Sequence, residues 1–237
     1  MTAAHRVWVP GHITGFFMPV YAADPVRTGS MGGGIALSDG VTVTVTRSSQ
    51  TEVMLNGRAV EIPPVGAVLE RLGVTGRVDA ATPLPLGVGF GVSGAMTLAA
   101  ALGAQAAGLI DRPSDDLVRI AHVAEVASRT GLGDVIGQAT GGISLRLRPG
   151  APPLGRVERL PAAPTIEYLI FGSRSTTAVL DGAEDRLVRA GRDAVRMVRA
   201  NPSLEAFMSA AARFTTCADL AGPQVQQGLE RGEAGGH

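Results

Sequence analysis

The sequence predicts an α+β chain in which strands precede helices in both halves. Two observations carry this prediction. Residues 35–47 alternate apolar with polar side chains, which is the pattern of a half-buried strand. Residues 92–109 and 114–129 instead carry small and apolar residues at helical spacing. With 237 residues, the chain can form one large or two small domains with a real core.

The elements of the first half follow from the same patterns. Asn56-Gly57 stands between two apolar-alternating arms and indicates a tight hairpin. The first strand is short and is expected to stop at Pro10-Gly11. The predicted elements of this half are strands at 7–9, 35–47 and 77–81, a hairpin over 52–62 and a helix over 65–72.

In the second half, Ser114 is expected to cap the helix that it begins. The prolines and glycine of residues 148–153 stop regular structure and make the best domain boundary. The other predicted elements are a helix restarting after 130–134, strands at 141–147 and 165–171, and helices at 181–199 and 203–212.

Composition excludes several classes of function. The formal net charge is zero, so no basic field indicates nucleic acid or an anionic membrane. Every cationic side chain among the 21 is arginine, which excludes lysine Schiff-base chemistry and a Walker-type phosphate lysine. Residues 92–110 lack the large apolar side chains of a membrane span. The single cysteine, Cys217, excludes an intrachain disulfide and predicts a reducing cytoplasm.

The most informative segment is the glycine-rich loop at 85–95, which leads into an uncharged helix. Glycines let backbone N–H groups converge on an anion, and a following helix presents its positive end there. Ser93, at the junction, can add a hydroxyl ligand for magnesium. The loop also satisfies G-x-G-x-x-G, but a dinucleotide fold needs a strand ending at the first glycine. A tight-packing glycine turn is the simpler alternative.

Two carboxylates flank the turn that follows the second helix. Glu125 can hold magnesium, and Asp134 can accept a proton from a hydroxyl nucleophile. The alternatives are structural. Glu125 can pair with Arg129 at i,i+4, and Asp134 can cap the next helix.

Two N-terminal segments offer substrate contacts. His12 and Thr14 alternate onto one side of a glycine-flanked turn, although a lone histidine is more often structural. Arg27 and Ser30 lie in a segment that continues into Gly32-Gly33-Gly34. These three glycines suggest a backbone nest for a small anion, or else a surface loop.

Taken together, these segments resemble the GHMP small-molecule kinases. The central motif of that superfamily matches Pro85, Gly89, Phe90, Gly91, Ser93, Gly94 and Ala95 in register. Its Pro-Gly turn matches Pro10-Gly11, and its catalytic aspartate followed by Gly-Gly matches Asp134 with Gly141-Gly142. Finer features resemble the archaeal pantoate kinase branch, namely 10–17, Gly29-Ser30, 121–126 and 130–135.

The resemblance implies a two-domain GHMP fold. A ribosomal protein S5 domain 2-like ATP-binding and catalytic domain would cover 1–150, and a ferredoxin-like C-terminal domain 151–237. The superfamily's third motif is expected about where the chain ends, at Gly235-Gly236-His237, so we expect that second domain to be shortened.

The resemblance also implies ATP-dependent phosphorylation of pantoate. ATP phosphates would be held by Gly87, Gly89, Gly91, Val92, Ser93, Gly94 and Ala95. Ser93 and Glu125 would hold Mg²⁺, and Asp134 would be the catalytic residue that orients or deprotonates the attacking hydroxyl. The substrate contacts would be His12, Thr14, Arg27 and Ser30. The expected binding partner is the small-molecule substrate, and the resemblance is compatible with a homodimer. The alternatives are another GHMP kinase of the hydroxy acid, homoserine or mevalonate type, or a non-catalytic nucleotide-binding homologue.

Overall fold

The computed structural model of the chain describes residues 5–173 and 184–228. In this part, seven strands form one sheet in the order β4-β3-β5-β2-β6-β7, with β1 paired to β2. The strands are β1 (Arg6–Val20), β2 (Gly29–Arg47), β3 (Glu52–Leu55), β4 (Arg58–Ala59), β5 (Gly76–Ala81), β6 (Ile143–Arg148) and β7 (Arg156–Leu160). The helices are α1 (Pro63–Leu72), α2 (Val92–Ala106), α3 (Ser114–Ala127), α4 (Asp134–Thr140), α5 (Glu184–Ala200) and α6 (Leu204–Cys217).

The predicted hairpin is confirmed in detail. Asn56 and Gly57 have φ of 49° and 78°, so both central residues of the turn between β3 and β4 lie in the left-handed region. That geometry matches the twist of the two strands that the turn joins. All strand pairs are antiparallel except β3 with β5, which is parallel.

The prediction that the first strand stops at Pro10-Gly11 is wrong. Strand β1 runs on to Val20, and its register with β2 shifts between Pro10 and His12 and again between Thr14 and Phe16. An irregularity of this kind accommodates the missing proline N–H and re-aims the side chains that follow.

The glycines at 32–34 form neither a nest nor a surface loop. They lie inside β2, buried, and pair with both β1 and β6. The reason is steric, because a Cβ on Gly33 would come within 2.8 Å of the Phe16 and Phe207 rings. Small residues here let large aromatic side chains pack directly on the strand.

Two further expectations need correction. Residues 161–173 contain no regular element, so the strand predicted at 165–171 is absent. Ile166 packs partly buried against the hydrophobic clusters, whereas Leu169, Ile170 and Phe171 are exposed. Ser114 is the first residue of α3 and makes no capping bond, since Pro113 occupies the N-cap position.

Two clusters of buried apolar side chains pack against the sheet. One cluster joins β2 and β5 to helices α1, α2 and α3. The other joins β1 and β6 to α5 and α6, with the rings of Phe16 and Phe207 5.3 Å apart. Strand β2 contributes side chains to both clusters, and β7 extends the same sheet beyond residue 150. The division of the chain at that residue stays a prediction. Among the described residues, every helix is too short or too polar to cross a membrane.

Candidate active site

A cleft of about 800 Å³ opens where the glycine loop meets β1, β2, β6 and the turn before α4. Its walls contain most of the residues that the sequence singles out: Thr14, Ser30, Gly87, Gly89, Gly91, Val92, Ser93, Gly94, Glu125 and Asp134. Elements far apart in the chain therefore supply one site.

The glycine loop has the backbone geometry of an anion cradle. Gly87, Gly89 and Gly91 have φ of 81°, 97° and 60°, a region that side chains disfavour. Helix α2 begins directly after Gly91 without a side-chain cap. The first N–H groups of an α-helix have no intrahelical acceptor, and Val92, Ser93 and Gly94 line the cleft.

Two details refine the prediction for this loop. Ala95 is fully buried in the core, and its N–H donates to the Gly91 carbonyl, so it does not line the cleft as a phosphate contact would. The dinucleotide alternative fails, as expected, because α2 is followed by α3 rather than by a strand.

Glu125 is buried and anchored to α2. Its Oε1 accepts hydrogen bonds from Ser93 Oγ at 2.9 Å and from Thr97 Oγ1 at 2.8 Å. Burial raises the pKa of Glu125, although hydrogen bonds from Thr97 and Ser93 oppose the shift. Sequence reasoning missed Thr97, which could have been found from its place one helical turn after Ser93.

Asp134 is the first residue of α4, where Gly133 is the N-cap and no side chain caps the helix. Capping, the structural alternative, is therefore not its role. Its Oδ1 lies 2.7 Å from His12 Nδ1 and accepts from Thr14 Oγ1 at 3.3 Å. Burial alone would raise the pKa of Asp134, but the hydrogen bond and electrostatic attraction from His12, the positive charge of Arg146 and the hydrogen bond from Thr14 together hold that pKa below its usual value. The carboxyl group is therefore ionised at neutral pH.

The predicted substrate contacts separate into two groups. Thr14 and Ser30 line the cleft. His12 is fully buried beside Asp134 and is not among the residues that line the cleft, so its direct contact with substrate stays a prediction. Arg27 also lies outside the cleft, with its side chain 65% exposed beside Asp24.

Arg146 on β6 is the functional candidate that sequence reasoning missed. It lines the cleft although only 3% of the residue is exposed. Its Nε and Nη1 have no hydrogen-bond partner among the described residues. Burial lowers the pKa of Arg146, opposed by the nearby Asp134 charge. Its signal in the sequence is weak, since a strand reading Ile-Ser-Leu-Arg-Leu-Arg looks like one with an exposed polar face.

Arg146 and Ser30 flank the residue that precedes the catalytic candidate. A Cβ on Gly133 would come within 2.6 Å of both Arg146 Nε and Ser30 Oγ. Ser30 Oγ donates to the Leu132 carbonyl at 3.3 Å. The cleft thus places an anion cradle, an anchored carboxylate and a buried cation side by side. This arrangement can bind a phosphorylated donor and an anionic acceptor, and can remove a proton from the acceptor.

Comparison with known proteins gives a consistent family. Residues 58–142 match the family described as the GHMP kinases N terminal domain. The chain is 35% identical over 226 residues to a pantoate kinase of Thermococcus kodakarensis, covering 88% of this chain and 74% of that protein. It is 30% identical over 228 residues to a pantoate kinase of Methanocaldococcus jannaschii, covering 92% and 82%.

Solved structures agree on the fold. A phosphotransferase related to the coenzyme A biosynthesis pathway superposes with a TM-score of 0.82 at 29% identity, covering 97% of this chain and 80% of that one. The mevalonate kinase of Methanococcus jannaschii has a TM-score of 0.66 at 10% identity, covering 98% and 85%, a likeness of fold alone. On these matches and the geometry of the cleft, the chain belongs to the pantoate kinase family of GHMP kinases.

Proposed function

We propose that this chain is an ATP-dependent kinase that transfers the γ-phosphoryl group to the primary hydroxyl of pantoate, giving 4-phosphopantoate for coenzyme A biosynthesis. The observation that carries the proposal is an anchored carboxylate, Asp134, in the same cleft as an uncapped helix N-terminus and a buried guanidinium whose Nε and Nη1 have no hydrogen-bond partner in the described part of the chain. The similarity to two pantoate kinases names the acceptor that this geometry suits.

The donor side of the cleft suits a nucleoside triphosphate. The loop over 87–94 would hold the ATP phosphates through its backbone N–H groups, because no lysine exists in the chain to do so. Phosphoryl transfer asks mainly for positioning and charge neutralisation, which a backbone cradle supplies.

The residues beside this loop fit a magnesium ion. Ser93 and Glu125 offer oxygen ligands, with Oγ and Oε1 2.9 Å apart, and Mg²⁺ commonly takes one or two protein carboxylates plus substrate phosphates. The described residues contain no cluster of three or more acidic, His or Cys ligands, so this would be a shared protein–nucleotide site. When bound, the ion would neutralise charge on the phosphates.

The acceptor side suits a small hydroxy acid. Nε and Nη1 of Arg146 are buried without a hydrogen-bond partner in the part of the chain that the structure describes, which costs free energy unless a ligand supplies the acceptors. The planar guanidinium of Arg146 matches a carboxylate with two parallel hydrogen bonds, and Ser30 Oγ beside it can bind an oxygen of the same molecule. Arg146 would therefore make the contact with the pantoate carboxylate that the sequence led us to expect of Arg27.

The reaction then needs one proton transfer. Asp134 would accept the proton of the primary hydroxyl while that oxygen forms a bond to the γ-phosphorus and the bond from phosphorus to the ADP oxygen breaks. Thr14, within 3.3 Å of Oδ1, would help to orient the carboxylate. We also propose a cytoplasmic location, as the lone cysteine predicts; a homodimer stays a prediction.

The proposal is tested by ADP release with pantoate, homoserine, mevalonate and shikimate in parallel. We expect turnover with pantoate to exceed turnover with each of the others by at least about 100-fold in kcat/KM, because a polar site rejects acceptors that leave its groups unpaired. Turnover that favours another acceptor would indicate a different GHMP kinase. ATP binding by calorimetry without any turnover would indicate a non-catalytic homologue.

A substitution tests the metal side separately. Ser93→Ala should weaken nucleotide binding measured with Mg²⁺ by about 10-fold, since one oxygen ligand is lost. Binding measured in EDTA should stay nearly unchanged. Thr97→Val is the matched comparison, because it removes the other hydroxyl on Glu125 Oε1 without touching the cleft. Equal Mg²⁺-dependent affinity in Ser93→Ala and the unsubstituted protein would remove Ser93 from the metal site.

A further inference from the structure

His12 is built into the molecule more tightly than a substrate contact requires. Its ring is completely buried, and Nδ1 meets Asp134 Oδ1 at 2.7 Å. Its backbone N–H donates to the Phe90 carbonyl of the glycine loop at 2.9 Å. One residue of β1 therefore touches both the nucleotide loop and the candidate catalytic base.

The ring occupies a slot between two glycines from different elements. A Cβ on Gly34 of β2, or on Gly137 of α4, would collide with ring atoms of His12. Nε2 faces these glycines and has no hydrogen-bond partner among the described residues. The slot therefore accepts a flat ring and offers no acceptor for a second N–H.

These contacts place a hydrogen on Nδ1. A carboxylate accepts hydrogen bonds only, so Nδ1 donates to Asp134 Oδ1. The charged or titratable side chains at or near the hydrogen bond between His12 and Asp134 come from three elements. They are Asp134 on α4, Arg146 on β6 and Glu125 on α3.

Both donors to the Asp134 side chain use the same oxygen. His12 and Thr14 bond to Oδ1, and no described residue bonds to Oδ2. The side chain of Asp134 is 25% exposed, in the cleft wall. One oxygen is thus anchored, and the other is left for the acceptor hydroxyl.

We propose that His12 is a positioning residue: as an Nδ1–H donor clamped between Gly34 and Gly137, it aims Asp134 Oδ2 at the substrate hydroxyl. This proposal rests on the proposed kinase function. It replaces the sequence-based expectation of direct contact with substrate or phosphoryl group, and it explains why Gly34 and Gly137 must be glycine.

The test compares two substitutions that differ in one donor. His12→Leu fills the slot without a donor, whereas His12→Asn places an amide N–H near the Nδ1 position. We expect His12→Leu to lower kcat for pantoate about 100-fold with KM changed less than about threefold, and His12→Asn to retain most of kcat. The acid limb of the kcat profile should move to higher pH in His12→Leu, because losing a donor raises the pKa of a carboxyl group.

An increase in KM with kcat preserved in His12→Leu would indicate that His12 contacts the substrate directly. Equal kcat and KM in His12→Leu and the unsubstituted protein would exclude a role of His12 in the reaction. An equal loss of kcat in His12→Leu and His12→Asn, together with a lower thermal midpoint in both, would make His12 a structural residue. Absence of pantoate turnover in the unsubstituted protein would instead reject the proposed function.

A measurement that needs no substrate distinguishes failure of the proposed role of His12 from failure of the proposed kinase function. ¹⁵N-labelled histidine NMR, with His12 identified by its loss in His12→Asn, should show a hydrogen on Nδ1 and a change in its shift in Asp134→Asn. A hydrogen on Nε2 alone would overturn the proposal even if no acceptor were found.

Discussion

Asp134→Asn should lower kcat for pantoate by at least about 1000-fold while leaving ATP affinity within about threefold, because the amide cannot take the hydroxyl proton. The fold should survive. An asparagine Oδ1 can still accept from His12 and Thr14, which anchor this side chain. Steady-state ADP release measures the first effect, and titration calorimetry with a non-hydrolysable ATP analogue measures the second.

The matched control for this substitution is Asp115→Asn. Asp115 lies in the first turn of α3 and is exposed outside the cleft, so the same chemical change there should leave both measurements unaltered. Joint loss of turnover and nucleotide binding in Asp134→Asn would make Asp134 a structural residue. Retention of more than about a tenth of kcat would exclude it as the general base.

Arg146→Met should raise KM for pantoate by about 100-fold or more, since the carboxylate would lose a charge-assisted pair in a buried site. The thermal midpoint without substrate should stay equal or rise. Methionine fills similar space and removes a charge that is buried without a hydrogen-bonded partner among the described residues. Loss of function with unchanged or increased stability is what distinguishes a binding residue from a structural one.

Two comparisons sharpen this prediction. Arg27→Met makes the same change at an exposed position outside the cleft and should alter neither KM nor the thermal midpoint. The uncharged amide of pantoate should have a high KM with the unsubstituted protein and about the same KM with Arg146→Met. This equality is expected if Arg146 interacts with the pantoate carboxylate, because the amide has already lost that interaction. A lower thermal midpoint with normal KM in Arg146→Met would contradict the assignment.

The glycine loop and the two carboxylates could be predicted from the sequence because their chemistry is local. Glycines at 87, 89 and 91 have the positive φ that an anion cradle uses, and Ser93 follows them directly on the helix. Glu125 and Asp134 flank a short turn, so any fold that forms α3 and α4 brings them close. The hairpin at Asn56-Gly57 succeeded for the same reason, since its turn geometry depends on adjacent residues.

The parts that failed depend on long-range packing. Gly32, Gly33 and Gly34 resemble a loop in isolation, but they form a strand because Phe16, Phe207 and His12 need the space that their missing side chains leave. Arg146 sits in a strand whose alternation suggests an exposed polar face, and only the sheet pairing shows that this face is the cleft.

His12 depends both on local sequence and on long-range packing. Its position near the site could be predicted from the alternation with Thr14, but its role could not. Which side of Asp134 it occupies depends on the register shift in β1 and on the small residues of β2 and α4 around it. A side chain's direction after a bulge is not encoded in residue spacing.

³¹P NMR of the product formed from ATP, Mg²⁺ and pantoate shows directly whether this cleft phosphorylates the primary hydroxyl of pantoate. We expect a new phosphomonoester signal split into a triplet by the two protons of the adjacent methylene group, absent without pantoate and absent with Asp134→Asn. A doublet, which a phosphoryl group on the secondary hydroxyl would give, or no new signal from a protein that binds ATP, would contradict this expectation.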